Sequence, residues 1–244
     1  MEFHTNSYKA TSEGFSSHYW ERIGAIIYAK TVNKTFLYTP LQGVAHNYTN
    51  DKEFLEKKEQ LMNLIDAYPV NRDFEFQKRC PESCMFFFNN VAYCCGSEEF
   101  ARIKSLFYLN KKREDYFSND CKHIAVHIRK RNPHDLEAPT ELSDGRYTSI
   151  IQKLRSAFSL DKIRFHIYSQ GPLNKFQQIW KEDDIQLHIN ASIEDTFTSM
   201  VFADVLVTCQ SAFSRLAGYL SNGLVIYPME AASPQNLLPH FRVI

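Results

Sequence analysis

From His123 onward, short apolar runs alternate with longer amphipathic stretches. HIAVHIR (123–129), KIRFHIYS (162–169), IQLHIN (185–190), VLVTC (205–209) and LVIYP (224–228) have the length and β-branched content of buried strands. Between them, 147–158 carries Ile150, Ile151, Leu154 and Phe158 at helical spacing. A helix from Pro172 to Trp180 begins on a proline suited to its first turn, and 193–203 brings Phe197, Met200, Val201 and Phe202 inward. A last helix over 211–220 is stopped by Asn222-Gly223. Apolar strands alternating with helices predict a parallel sheet covered on both faces.

The first half is less regular. Residues 13–16 read as a small-residue loop, followed by a helix with Trp20, Ile23, Ile27 and Tyr28 on one side. TFLYTP (35–40) reads as a strand and 51–66 as a charged amphipathic helix whose lysines and glutamates form a solvated face. MFFFNNVAYCC (85–95) reads as one or two buried strands, and 99–116 as helical. The fold class is therefore α/β. A reduced N-terminal α/β domain covers 1–118, and a Rossmann-like domain covers 119–244.

Bulk composition narrows the function classes. The 28 basic and 28 acidic residues cancel, so no net charge draws the chain toward nucleic acid. No window reaches the roughly 18 apolar residues of a membrane span, and the N-terminus lacks the pattern of a signal peptide. Those features set the expectation of a cytoplasmic protein, with Asn33, Asn47 and Asn190 as chance N-x-S/T triplets. Cys80, Cys84, Cys94 and Cys95 do not fall into a standard zinc spacing, so buried thiols are expected there.

Ligands of a doubly wound sheet bind beyond the carboxyl ends of its strands. Those ends carry His127, Arg129, Lys130, Arg131 and Asn132; then Ser169 and Gln170; then Asn190; then Cys209, Gln210, Ser211, Ala212, Phe213 and Ser214. A cationic strand tip facing a helix start is a clamp for a diphosphate: the guanidinium forks onto phosphate oxygens and the helix amides add their own positive end. Taken singly, Arg129 also fits a surface ion pair and Ser211 a plain N-cap. No G-x-G-x-x-G, Walker or H-E-x-x-H motif occurs, and no D-x-D stands at an apolar strand end. Metal-assisted donor binding is therefore not expected.

His127-Ile128-Arg129-Lys130 resembles the H-V-R-R stretch of the fucosyltransferase superfamily, and 203–223 resembles its second signature, a strand, a Ser-Ser-Phe-like turn and a helix. Glu13-Gly14-Phe15-Ser16-Ser17 with the following helix is similar to the Gly-rich first loop of the α1,2 enzymes. The resemblance implies two Rossmann-type domains facing a cleft (a GT-B-like arrangement) and an inverting, metal-independent transfer of L-fucose from GDP-fucose to a glycan or glycoprotein hydroxyl. It implies that Arg129 holds the donor β-phosphate, that Ser211, Ala212 and Phe213 cradle the phosphates, and that Gly14, Phe15 and Ser16 line the donor side. His127, Ser169, Gln170 and Gln210 complete the expected donor contacts.

Two departures stand out. Arg131 and Asn132 occupy places where the family writes a small or threonine residue and an aspartate, and Ala212 replaces a second serine. Another donor, such as UDP-xylose, or an inactive nucleotide-sugar-binding module, remains an alternative. The α1,6 enzymes carry a glutamate eight places after the matched arginine, which here is Glu137. It is the first candidate for the general base that takes the acceptor proton, with Asp135 and Glu141 as rivals in the same loop. His18 and His46 are candidate acceptor contacts.

Overall fold

A computed structural model describes residues 3–5, 14–45, 47, 51–71, 86–130, 141–228 and 238–244. The chain forms two compact units, residues 1–111 and 112–244.

The first unit opens with strand β1 (Phe3–Thr5), helix α1 (Phe15–Thr31) and strand β2 (Thr35–Leu37). β1 and β2 pair in parallel, Phe3 opposite Thr35, so α1 is the crossover of a β-α-β unit. Tyr19, Trp20, Ile23, Ala25, Ile26 and Ile27 are all nearly inaccessible, which makes α1 a central helix buried around most of its circumference. It ends where Asn33 adopts the left-handed conformation, φ 54°. Helix α2 (Phe54–Met62) is shorter than the 51–66 pattern suggested, because Asn63 turns left-handed at its end. Nor is its charged face fully solvated. Lys58 and Glu59 are buried, the lysine with its Nζ 4.0 Å from the Phe54 ring centre.

The run at 85–95 is a correction to the sequence reading. Residues 86–89 and α3 (Val91–Cys95) are helical. Phe87, Val91 and Cys94 are buried, a spacing of four and three that matches a helix face. A short apolar run cannot distinguish a buried strand from a buried helix by periodicity, and here packing against α1 decides. The Phe88 and Phe87 rings lie 4.3 and 5.6 Å from Trp20. Helix α4 (Glu98–Tyr108) follows, capped by the Ser97 hydroxyl on the Phe100 amide at 3.1 Å.

The second unit holds six parallel strands: β3 (Lys122–His127), β4 (Ile163–Ser169), β5 (Ile185–Ile189), β6 (Val205–Val207), β7 (Leu224–Tyr227) and β8 (Phe241–Val243). They are interleaved with α5 (Asp144–Ala157), α6 (Leu173–Ile179), α7 (Ile193–Phe202) and α8 (Ala212–Leu220). The five expected strands are present. β8, three residues long, carries too little pattern to be read from sequence. The spatial order β5-β4-β3-β6-β7-β8 reverses direction between β3 and β6, the first and fourth strands of this unit. That is the doubly wound order with its switch point at the β3/β6 boundary.

One sheet face carries Ile124, Val126, Ile128, Phe165, Ile167, Val205, Val207 and Ile226, packed against Tyr147, Ile150, Ile151 and Leu154 of α5 and Phe176 of α6. Each fully buried aliphatic side chain there contributes about 1.5–3 kcal/mol of transfer free energy. Helix α8 covers the opposite face. A Cβ on Gly218 would sit 3.2 Å from Val225 Cγ1, so the glycine lets α8 approach β7. Among the described residues, no helix is long and apolar enough to cross a membrane.

Candidate functional site

The register sets β3 directly beside β6, with Ile124 opposite Val205 and Val126 opposite Val207. Each chain then leaves the sheet at the same level, one toward Arg129 and the other toward Ser211. Three contacts hold these tips together. Cys209 Sγ lies 3.2 Å from His127 Nδ1. The backbone N–H of Arg129 points at the same sulfur, and the Arg129 charge acts on both Cys209 and His127. The His127 ring meets Phe213 of α8 edge-on, with centroids 5.6 Å apart.

Electrostatics follow from this enclosure. Burial, reinforced by the Arg129 guanidinium, pushes the His127 pKa down to about 3. The imidazole is neutral at physiological pH and adds no charge at the tip. Burial raises the Cys209 thiol to about 11, so it stays protonated. Among the described residues the cations acting at this end of β3 are Arg129, which is half-buried, and Arg215 of α8, whose charge also reaches Cys209. Lys130, one residue further, is committed to Asp144 at 2.6 Å.

Helix α8 begins as the sequence pattern requires. Ser211 is its N-cap, 5% exposed, and its hydroxyl accepts from the Phe213 amide at 3.2 Å. The first amides of a helix have no partner within it, so those of Ala212 and Ser214 remain for another acceptor. Helices α5 and α7 place acids in their first turns, Asp144 in one and Glu194 and Asp195 in the other. The first turn of α8 contains no acidic residue, which leaves its positive end uncompensated by its own sequence.

The other predicted donor residues fall into three groups. Ser169 is buried and its hydroxyl donates to the Ile128 carbonyl at 2.6 Å, so it ties the end of β4 to the end of β3. Gln170 and Gln210 are exposed beside the tips. Gly14 is half-buried, while Phe15 and Ser16 are buried within the first unit. His18 is also buried there, 2% exposed, which removes it as an acceptor contact. Glu141 is exposed just before α5. Arg131, Asn132, Asp135, Glu137 and His46 lie outside the described residues.

Two residues that the sequence placed at strand ends, without a role, prove to be positioning residues. Ser214, fully buried, accepts from the Cys209 amide at 3.3 Å and so fixes the turn from β6 into α8. Asn190, in the left-handed conformation, brackets Gly171 with two 2.9 Å hydrogen bonds: its Oδ1 accepts from the Gly171 N–H and its Nδ2 donates to the Gly171 carbonyl. Gly171 has φ +132°, a conformation open to glycine. An asparagine, which tolerates the left-handed region, at the end of one apolar run and a glycine just after another are the signals that mark this rim in the sequence.

The arrangement offers the Arg129 guanidinium, a first helical turn without acids, and a neutral histidine between them. That suits a small, doubly charged anion. No family model and no curated protein sequence matches this chain. Among solved structures it is similar to fucosyltransferase NodZ from Bradyrhizobium, at 16% identity over 90% of this chain and 92% of that one, with a TM-score of 0.43. The NodZ α-1,6-fucosyltransferase soaked with GDP-fucose is similar at 15% identity, the same coverage and a TM-score of 0.42. POFUT1 in complex with GDP-fucose is similar at 14% identity over 99% of this chain and 72% of that one, with a TM-score of 0.36.

Proposed function

We propose that this chain is an inverting, metal-independent glycosyltransferase that moves a sugar from a nucleoside-diphosphate donor to a hydroxyl of a glycan or glycoprotein. The observation that carries the reading is the junction of the β3 and β6 tips, where Cys209 and His127 meet and bring Arg129 next to the start of α8. The sequence motifs at these two tips favour L-fucose from GDP-fucose as the donor.

In the proposed reaction the acceptor oxygen attacks the anomeric carbon in line with the departing diphosphate. The acceptor proton passes to a carboxylate, for which Glu137 is the first candidate and Asp135 and Glu141 the rivals. Negative charge grows on the β-phosphate as the glycosidic bond breaks. Arg129 and the free amides of α8 stabilise that charge, and loss of one such donor costs about 2.7–4 kcal/mol of transition-state binding. Neutral His127 keeps the anion free of a competing titration and holds the tip through Cys209. Ser169 holds the same tip from the other side through Ile128.

Thermal shift with GDP, UDP, GDP-fucose and UDP-xylose tests the donor, because a ligand that binds the folded state raises Tm by mass action. GDP and GDP-fucose are expected to stabilise the protein, with transfer to a glycan panel from GDP-fucose. Stabilisation by UDP alone would replace fucose with another sugar. Binding without turnover would make the chain a nucleotide-sugar-binding module.

A further inference from the structure

The connector that leads into β3 carries a second cluster of reactive groups, at the end of the strand opposite the proposed donor site. Ligand atoms of Asp120, Cys121 and His123 all lie within 4.8 Å of one another. Cys121 Sγ and His123 Nε2 are 3.4 Å apart. His123 is 2% exposed, stacked under Phe117 at 4.6 Å, so its ring is held in place. Its other nitrogen, Nδ1, is 2.8 Å from His166 Nε2, and His166 Nδ1 is 2.9 Å from His188 Nε2.

We infer that Asp120, Cys121 and His123 form a binding site for a zinc-type divalent cation that ties the connector to β3. A tetrahedral zinc with a thiolate at about 2.3 Å and an imidazole at about 2.0–2.1 Å sets those two atoms about 3.5 Å apart, close to the spacing present. The mixed sulfur, nitrogen and oxygen donors suit zinc or cobalt(II) and not calcium or magnesium, which take oxygen. A histidine ligand is ordinarily backed by an acceptor on its second nitrogen, and the His166–His188 pair supplies that backing. The groups that compete with a cation are the Ser118 hydroxyl, which donates to Asp120 and lies 3.3 Å from His123 Nε2, the Arg164 charge, which acts on Cys121 and His123, and two further cations. Lys162 pairs with Asp120 but is 65% exposed, free to swing out, and Arg113 is held by Asp204 at 2.8 Å.

The three histidines also give the site a readout. Without metal, His123 Nε2–H donates to the Ser118 carbonyl at 2.9 Å. His123 Nδ1 then accepts from His166 Nε2–H, and His166 Nδ1 accepts from His188 Nε2–H. Metal on His123 Nε2 removes its proton. Nδ1 must then donate, and each histidine behind it reverses in turn. One proton leaves Nε2 for solvent, one is taken up at His188 Nδ1, and the Cys121 thiol releases one as it becomes a thiolate. All three rings remain neutral, and binding releases one net proton.

Cobalt(II) titration of the reduced, chelator-treated full chain tests the site. The expected result is one equivalent bound, with a thiolate charge-transfer band and tetrahedral d–d bands that zinc bleaches. Cys121→Ser is expected to abolish the thiolate band, Asp120→Asn to weaken binding roughly tenfold or more, and Cys94→Ser/Cys95→Ser to leave it unchanged. Nitrogen-15 NMR is expected to report His188 moving from the Nε2–H to the Nδ1–H tautomer on zinc addition in the unmodified chain. Absence of a thiolate band, its survival in Cys121→Ser, or an unchanged His188 tautomer overturns the proposal. Cys121 is half-exposed, so its serine variant is expected to fold, and a circular-dichroism melt of each variant verifies this.

Discussion

Cys209 Sγ stands 3.2 Å from His127 Nδ1, a contact between residues 82 positions apart that joins the tips of the two strands flanking the switch point. Everything proposed for the donor site depends on this junction, because it sets the backbone of Arg129 against the turn into α8. Arg129→Ala is expected to lower kcat/KM by about 10²–10³-fold, the usual effect of removing one charge-stabilising donor. Its melting temperature without ligand is expected to stay within about 2 °C of the parent. Arg129→Lys keeps the charge but loses the planar fork, and is expected to recover only part of the rate. Steady-state kinetics beside thermal melts separates the two effects, and an Arg129→Ala enzyme with parental kinetics would end the diphosphate reading.

His127 is argued to position rather than to transfer protons. His127→Ala would leave the Cys209 thiol and the Phe213 ring edge without their contact, and is expected to cost about 1–2 kcal/mol of stability. Nucleotide affinity is expected to fall roughly tenfold, while the pH dependence of kcat keeps its shape. A pH profile that loses a limb in this variant would instead make the imidazole an acid or base.

The second unit was legible because its strands are short apolar runs and its helices have regular spacing, which together dictate a parallel sheet. Arg129 and Ser211 could be placed at two strand tips from that pattern alone, and the structure makes those strands neighbours. The links that hold them, Cys209 to His127, Ser214 to the Cys209 amide and Ser169 to the Ile128 carbonyl, are long-range or turn-specific and leave no periodic trace. The aromatic run at 86–88 misled because its burial is set by Trp20 and Tyr28 of α1, far away in sequence. Glu59 was hidden for the same reason, as one acid in a charged helix whose partners lie elsewhere.

Glu59 accepts hydrogen bonds from the Tyr19 hydroxyl at 3.0 Å, from the Tyr38 hydroxyl, and from the Leu41 amide at 2.6 Å. The Arg22 guanidinium sits 5.5 and 5.6 Å from the same two tyrosine rings and donates to the Thr39 carbonyl at 3.1 Å. Glu59→Ala strands the buried Tyr38 hydroxyl and Leu41 amide, leaves the Tyr19 hydroxyl only the Lys58 carbonyl at 3.0 Å, and removes the nearby counter-charge. It is expected to destabilise the protein by about 3 kcal/mol or more, with Glu59→Gln milder because it keeps one acceptor oxygen. Urea melts followed by tyrosine fluorescence measure both, and equal stability of the alanine variant would contradict the network.

Gly223 allows the chain to re-enter the sheet at β7. A Cβ there would lie 2.4 Å from the Ala203 carbonyl oxygen and 2.7 Å from that of Asp204, both backbone atoms that cannot swing aside. Gly223→Ala is expected to cost about 1–3 kcal/mol. Gly218→Ala meets side-chain atoms of Val225 and Phe241, at 3.2 and 3.5 Å, rather than backbone, and is expected to cost less. Paired thermal melts decide the order, and the reverse ranking would mean that the turn is set differently.

Acid should weaken the fold through His127. Its pKa is about 3 in the folded state, against about 6.5 for an unperturbed histidine in the unfolded chain. Between those values the unfolded chain binds a proton that the folded chain refuses, so stability is full above pH 6.5 and falls as pH drops toward 3. Allowing for the partial exposure of this residue, the loss from pH 6.5 to 5 is of order 1 kcal/mol. Other groups titrate in the same range, so the informative quantity is a difference. His127→Gln cannot protonate, and its stability curve is expected to be flatter than the parent's by that amount over that interval. Urea unfolding of both proteins at pH 7, 6 and 5 measures it. Parallel curves would mean that the ring titrates in the fold as it does in the unfolded chain, and the lowered pKa assigned to it between Arg129 and α8 would have to be given up.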